Sequence, residues 1–137
     1  MSLVIDASAT LASIYPDETT PAIEAVFSRV IAEDAWVPGL WRIEIANSLA
    51  WSVRRGRMSL ARRDEALIDL TRLPIFDDTE TAAHVWGKTL LLTDVHRLTV
   101  YEATYLELAL RLSLPLATLD EDLRRAAQQE SIPLLGK

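Results

Sequence analysis

The chain has 137 residues, half of them hydrophobic and a quarter charged, which suits one domain built around one core. Twenty acidic against 14 basic side chains leave a formal net charge of −6, which excludes a general cationic coat for nucleic acid and makes any such contact local. Cysteine is absent and only His84 and His96 are present, which excludes a disulfide framework, a thiolate zinc site and a cysteine nucleophile. No apolar run approaches the roughly 20 residues of a membrane span, and Met1 to Asp6 lacks the basic start of a secretory signal. A cytoplasmic protein with no membrane partner is expected.

Leu3-Val4-Ile5 predicts a short buried strand, and Asp6 to Thr10 the start of a helix. Residues 19–33 predict a helix entered through Thr20-Pro21, with Ile23, Val26, Phe27, Val30 and Ile31 as its buried stripe. Ala35-Trp36-Val37 reads as a second strand. After Pro38-Gly39, Ile43, Ala46, Ala50 and Val53 recur at helical spacing up to Arg54-Arg55-Gly56-Arg57, and a further helix runs from Ser59 to about Arg72. Leu73 to Phe76 predicts a strand, and Thr79 to Leu92 a helix. Thr99 and Glu102 fit a capping box that opens a helix to about Leu112. Pro115 to Thr118 is strand-like, residues 121–129 are helical, and Ile132-Pro133-Leu134 closes with an edge strand. No repeat or linker divides the chain. One α/β domain over residues 1–137 is expected, with three layers: a central, mainly parallel sheet and helices on both faces.

In such a sheet the residues that follow strand C-termini gather along one edge, where ligands bind. Asp6 and Asp120 directly follow strands, Glu102 opens a helix, and Glu44 lies in the first turns after the second strand. Taken singly, Asp6, Glu102 and Asp120 are explained as helix caps. Glu44 is not; on a face with Asn47 and Trp51 it needs a partner or solvent. Four carboxylates on one edge repel one another, and an oxygen-seeking divalent cation relieves that repulsion. Magnesium fits better than calcium, which gathers more protein ligands, and it points to phosphoryl chemistry.

Four blocks in this order, Val4-Ile5-Asp6-Ala7-Ser8-Ala9, Pro38 to Asn47, Leu98 to Ala109 and Pro115 to Asp120, resemble the motifs of PIN-domain ribonucleases, in particular VapC-type toxins. The resemblance runs from Val4 to about Leu135 and is most specific in the third block. It implies a PIN-like three-layer fold and a magnesium-dependent endoribonuclease, with manganese as a possible substitute. It also implies a toxin neutralised by a cognate antitoxin and acting as a homodimer. By matched position Asp6, Glu44, Glu102 and Asp120 are the catalytic, metal-binding quartet, while Ser8, Asn47 and Thr118 are supporting residues. The chain departs from the family at Tyr101-Glu102-Ala103, where Tyr-Asp-Ala is usual. The longer Glu102 either still reaches the ion, which is the favoured reading, or folds back on its own cap. Asp122 ranks second to Asp120, as a solvated charge near a helix start. Asp94 and Glu107 read as surface charges.

Arg54, Arg55, Arg57, Arg62 and Arg63 predict a cationic turn, and Lys88, His96, Arg97, Arg124 and Arg125 are further candidates for phosphate contacts with RNA. Both histidines read as ordinary surface residues without a catalytic role. Trp36, Trp41, Trp51 and Trp86 are expected mainly in the core. Trp41 and Trp51, on either side of Glu44, are candidates to line a groove for an apolar antitoxin segment or a second protomer. Two competing readings remain. Asp6-Ala7-Ser8-Ala9-Thr10 faintly resembles the start of haloacid-dehalogenase-like phosphatases, although Ser8 breaks that pattern. The other is a non-catalytic antitoxin-binding module, inactive through Glu102.

Overall fold

A strand covered on both faces must be apolar throughout, and Leu3, Val4 and Ile5 have no exposed surface. The computed structural model describes residues 1–137 and places this run, as β1 (Val4–Ile5), at the centre of a five-stranded sheet. The other strands are β2 (Ala35–Val37), β3 (Ile75–Asp77), β4 (Leu116–Ala117) and β5 (Leu134–Leu135). The order is β3-β2-β1-β4-β5 and every pairing is parallel, as the alternation of short strands and helices predicted. From β1 the chain winds outward to β2 and β3, then crosses back to β4 and β5. The winding therefore reverses between β1 and β4, and the crevice above their C-terminal ends is the topological switch point.

Right-handed crossovers place α1 (Ala7–Ile14), α2 (Pro21–Glu33), α3 (Trp41–Arg54) and α4 (Leu60–Thr71) over one face. The second face carries α5 (Thr81–His84), a π-helical turn at Val85–Thr89, α6 (Leu90–His96), α7 (Val100–Leu112) and α8 (Glu121–Gln129). Asp6, Thr20, Ser59, Thr99 and Asp120 each accept a backbone N–H at a helix start, and Thr99 with Glu102 completes the expected capping box. No helix is long and apolar enough to cross a membrane.

Several local expectations are corrected. The buried stripe of α3 is Trp41, Ile45, Leu49 and Ser52, about one residue or 100° from the predicted one, and Ile43 is 71% exposed. Bulk decides: this register encloses a tryptophan, an isoleucine and a leucine where the predicted one buried an isoleucine, a valine and two alanines. Ile31 of α2 is likewise exposed. The helix expected at Thr79 to Leu92 begins at Thr81, widens into the π turn and continues to His96. Strands β3 and β5 each begin two residues later than predicted.

Thirty buried apolar residues form the core. Its largest member, Trp41, donates its indole N–H to Thr10 Oγ1 at 3.0 Å, and Thr10 donates to the Asp6 carbonyl at 2.8 Å, tying the start of α3 to the start of α1. Glu107 is no surface charge. It is 3% exposed and joins Arg111, whose guanidinium also makes a two-point contact with buried Asp78 at 2.8 and 3.1 Å. Three buried or half-buried ions thus join the end of β3 to α7. His96, expected at the surface, is also buried, with its ring nitrogens on Gln129 at 2.9 Å and Glu130 at 2.7 Å.

Candidate metal centre

Because Asp6 follows β1 directly, its carboxylate stands at the switch point and is only 4% exposed. Oδ1 accepts the Ala9 amide at 2.9 Å and the Ser8 hydroxyl at 2.7 Å, and Oδ2 accepts the Thr118 hydroxyl from the end of β4. Ser8 Oγ in turn accepts the Leu119 amide at 2.9 Å and Thr118 Oγ1 the Asp120 amide at 3.0 Å. Ser8 and Thr118 therefore clamp Asp6 and pin the two strand ends together. These hydrogen bonds favour the charged form, but desolvation by burial outweighs them and pushes the Asp6 carboxyl up to about 6.

Glu44 comes from the first turns of α3 and is half-buried. Its solution to burial is Tyr105 of α7, whose phenol donates to Oε1 at 2.5 Å. Burial raises the Glu44 carboxyl and the phenol hydrogen bond lowers it, with burial prevailing. Desolvation first, and then the facing Glu44, drive the Tyr105 phenol far above its ordinary value, so it remains a donor. Tyr105 is the site residue that the sequence reading missed. Its signal was present, since Tyr105 follows Glu102 by three residues on the same helix, one turn on.

Glu102 folds onto its own cap, with Oε1 accepting the Thr99 amide at 2.8 Å, which leaves Oε2 outside the capping box. Its carboxyl is raised, mainly by burial and further by the neighbouring Asp120. Asp120 caps α8 through the Leu123 amide at 2.8 Å. Glu102, Asp120 and Asp122 each bring an oxygen within 4.8 Å of the other two. Asp122 thus joins the tightest trio while remaining exposed, its Oδ1 paired with Arg125 at 2.7 Å.

Asp6, Glu44, Glu102 and Asp120 line one cleft of ≈ 300 Å³, together with Ser8, Tyr101 and Tyr105 and with no lysine or arginine. Asn47 stands outside it, on the exposed side of α3. An all-oxygen donor set that lacks a compensating cation matches the chemistry of a hard divalent ion. Burial raises the carboxyls of Asp6, Glu44 and Glu102, and the neighbouring Asp120 adds to this at Asp6 and Glu102.

A family model for the PIN domain matches residues 3–129. The chain belongs to the PIN-domain family. It is 36% identical over 126 residues to Ribonuclease VapC3 of Pyrobaculum aerophilum, covering 90% of this chain and 92% of that protein, which places this PIN domain with the VapC type. The crystal structure of PAE2754 from Pyrobaculum aerophilum superposes with a TM-score of 0.67 at 24% identity, over 92% of this chain and 87% of that one. FitAcB from Neisseria gonorrhoeae gives a TM-score of 0.63 at 16% identity, over 98% and 96%. These two share the fold. Membership of the PIN family sets aside the phosphatase reading.

The basic residues of this PIN domain are mostly spent on the fold. Arg57 pairs with Glu18 at 3.1 Å, Arg62 donates to the Ile14 carbonyl, and Arg63 pairs with Asp64. Arg124 donates to the Thr118 and Leu135 carbonyls, and Arg125 to Asp122 and the His96 carbonyl. Of the expected cationic turn, Arg54 and Arg55 alone make neither an ion pair nor a side-chain hydrogen bond. The Trp41–Trp51 groove does not exist, because Trp41 is buried and Trp51 is 48% exposed.

Proposed function

We propose that this PIN domain is a divalent-metal-dependent endoribonuclease, the toxin of a type II toxin-antitoxin pair, with Asp6, Glu44, Glu102 and Asp120 holding magnesium or manganese. One observation carries the reading: carboxylates without a counter-cation converge on the switch point of a VapC-type fold. Bound there, a divalent ion supplies neutralisation of the RNA phosphodiester and a more acidic attacking water.

The part of the chain itself is positional. Ser8, Thr118 and the Ala9 amide fix both oxygens of Asp6. Tyr105 fixes Glu44, which lets a half-buried carboxylate face the cleft. Glu102 uses one oxygen for its cap and keeps the other for the trio with Asp120 and Asp122. The extra methylene at Glu102 is thus compatible with both cap and ligand. Asp122 is the reserve carboxylate, and Asn47 acts outside the metal cleft.

The antitoxin partner is supported by an apolar groove of ≈ 360 Å³ between α2 and α4, lined by Ile23, Phe27, Ile31, Ala66, Leu70 and Leu73. The homodimer is supported by Trp86, Leu90, Leu91 and Val95, which leave an exposed apolar face on the π turn and α6. A cytoplasmic setting accords with both. The test is cleavage of total RNA with magnesium, manganese or chelator by the parent, Asp6→Asn and Glu102→Asp. Cleavage lost on chelation and in Asp6→Asn is expected. Cleavage that survives both refutes the reading, and a parent that is inactive with all RNAs while Glu102→Asp cleaves favours the antitoxin-binding module.

A further inference from the structure

Along α3 a second feature begins where the acidic cleft ends. With 100° and 1.5 Å per residue, Glu44, Ser48, Trp51 and Arg55 lie within about 60° of one another on a single face, and Trp51 stands about 10 Å down the helix from Glu44. A hollow of ≈ 330 Å³ on this face is lined by Asn47, Ser48, Trp51, Ser52, Arg55 and Arg57. The indole of Trp51 is half-exposed, and two guanidinium groups lie over its ring, Arg54 at 5.6 Å and Arg55 at 5.1 Å from the centroid. Neither arginine pairs with a carboxylate, although the chain carries six more negative than positive charges.

The macrodipole accounts for one cation in the last turn of a helix, but not for an exposed indole with two unpaired cations over its ring. An exposed aromatic with unpaired guanidinium groups lying against it is an arrangement in which an unpaired base stacks on the ring in place of a guanidinium, and the cations turn to the phosphates on either side. A span of about 10 Å corresponds to one or two nucleotides of extended single strand.

We propose that Trp51, with Arg54 and Arg55, is a subsite for single-stranded RNA that stacks one base a nucleotide or two from the scissile phosphate at the carboxylates. This rests on the ribonuclease reading for its substrate, yet it is a binding claim that is measured without cleavage. A duplex, whose bases are already stacked, gains nothing from it. Asn47 and Ser48 lie between the two sites and offer donors and acceptors to the edge of the intervening base.

The experiment uses fluorescence anisotropy of a labelled random-sequence octaribonucleotide, with the full chain carrying Asp6→Asn so that RNA stays intact. Adding Trp51→Ala weakens binding roughly tenfold or more, and Trp51→Phe keeps it within roughly threefold, because a smaller aromatic still stacks. Adding Arg54→Gln and Arg55→Gln together makes the slope of log K against log salt shallower by about 1.4, near 0.7 for each phosphate contact removed. Equal binding by Trp51→Ala overturns the subsite, as does equal preference for a duplex octamer. Loss of self-association without loss of RNA affinity also overturns it, by making the patch a protein contact. Cleavage by the parent is scored separately. Metal-dependent cleavage with unchanged Trp51→Ala binding leaves the ribonuclease reading standing alone. Trp51-dependent binding without any cleavage leaves the subsite standing alone, and failure to bind RNA at all removes both.

Discussion

Replacing Asp6 by asparagine should stabilise the metal-free protein, and by an amount that depends on pH. In the unfolded chain the carboxyl titrates near 3.8, and in the fold near 6, so the native state holds the proton more tightly between those values. Native stability therefore falls as pH rises through that window, by about 3 kcal/mol at pH 8 and only about 1 kcal/mol at pH 4.5. Asparagine keeps the acceptor for Ala9 and Ser8 but turns the Thr118 contact around, because an amide N–H replaces the second carboxylate oxygen. Rearranging that hydrogen bond costs about 1 kcal/mol. The net gain is about 2 kcal/mol at pH 8 and close to nothing at pH 4.5. For a chain of this length 2 kcal/mol corresponds to roughly 6–8 °C in Tm. Thermal scans by circular dichroism in chelator, parent against Asp6→Asn at both pH values, measure it directly. Adding a divalent ion at pH 8 should raise the parent and narrow the gap. An offset that is the same at both pH values, or an asparagine variant less stable at pH 8, would show that burial of the Asp6 charge is not the source of strain.

Tyr105→Phe removes the donor to Glu44 and is expected to cost about 1 kcal/mol in urea unfolding, with a clear loss of RNA cleavage because Glu44 is then free to turn. Arg111→Ala leaves Asp78 and Glu107 buried without a cation, for a loss of about 3–5 kcal/mol near neutral pH. Although burial raises the Asp78 carboxyl, Arg111 and Thr81 hold it below its ordinary range, so this contribution is present above the unfolded value and is lost as pH falls through the folded one. The gap between the parent and Arg111→Ala should accordingly shrink in urea titrations on acidification. Trp41→Ala opens a cavity in the core and breaks the link to Thr10, for about 3–5 kcal/mol by the same measurement. Glu102→Asp is too short for the Thr99 amide, and calorimetry should show a loss of about 0.5–1 kcal/mol without loss of cleavage.

Legibility followed the range of the interaction that decides each feature. The capping residues Asp6, Thr20, Ser59, Thr99 and Asp120 were readable because a cap is settled within four residues. The fully apolar Leu3-Val4-Ile5 likewise marked a strand buried on both faces, and with it the parallel sheet. The end of α6 carried no such mark, because Arg97 adopts a left-handed conformation that usually advertises itself as glycine.

Side-chain destinations that depend on contacts dozens of residues away were not legible. The α3 register turned on how Trp41 meets Thr10, the burial of Glu107 on Arg111 and Asp78, and the partner of Glu44 on Tyr105 from the opposite face of the sheet. Arginines that were candidates for phosphate contact were mostly engaged by carbonyls and carboxylates distant in the chain. The sequence by itself determined the sheet, the caps and the family to which the acids belong, all fixed by short-range backbone preference and ordered motifs. The tertiary structure alone decided which charges remain uncompensated, because desolvation and pairing are properties of the packed volume around a group and not of its neighbours in the chain.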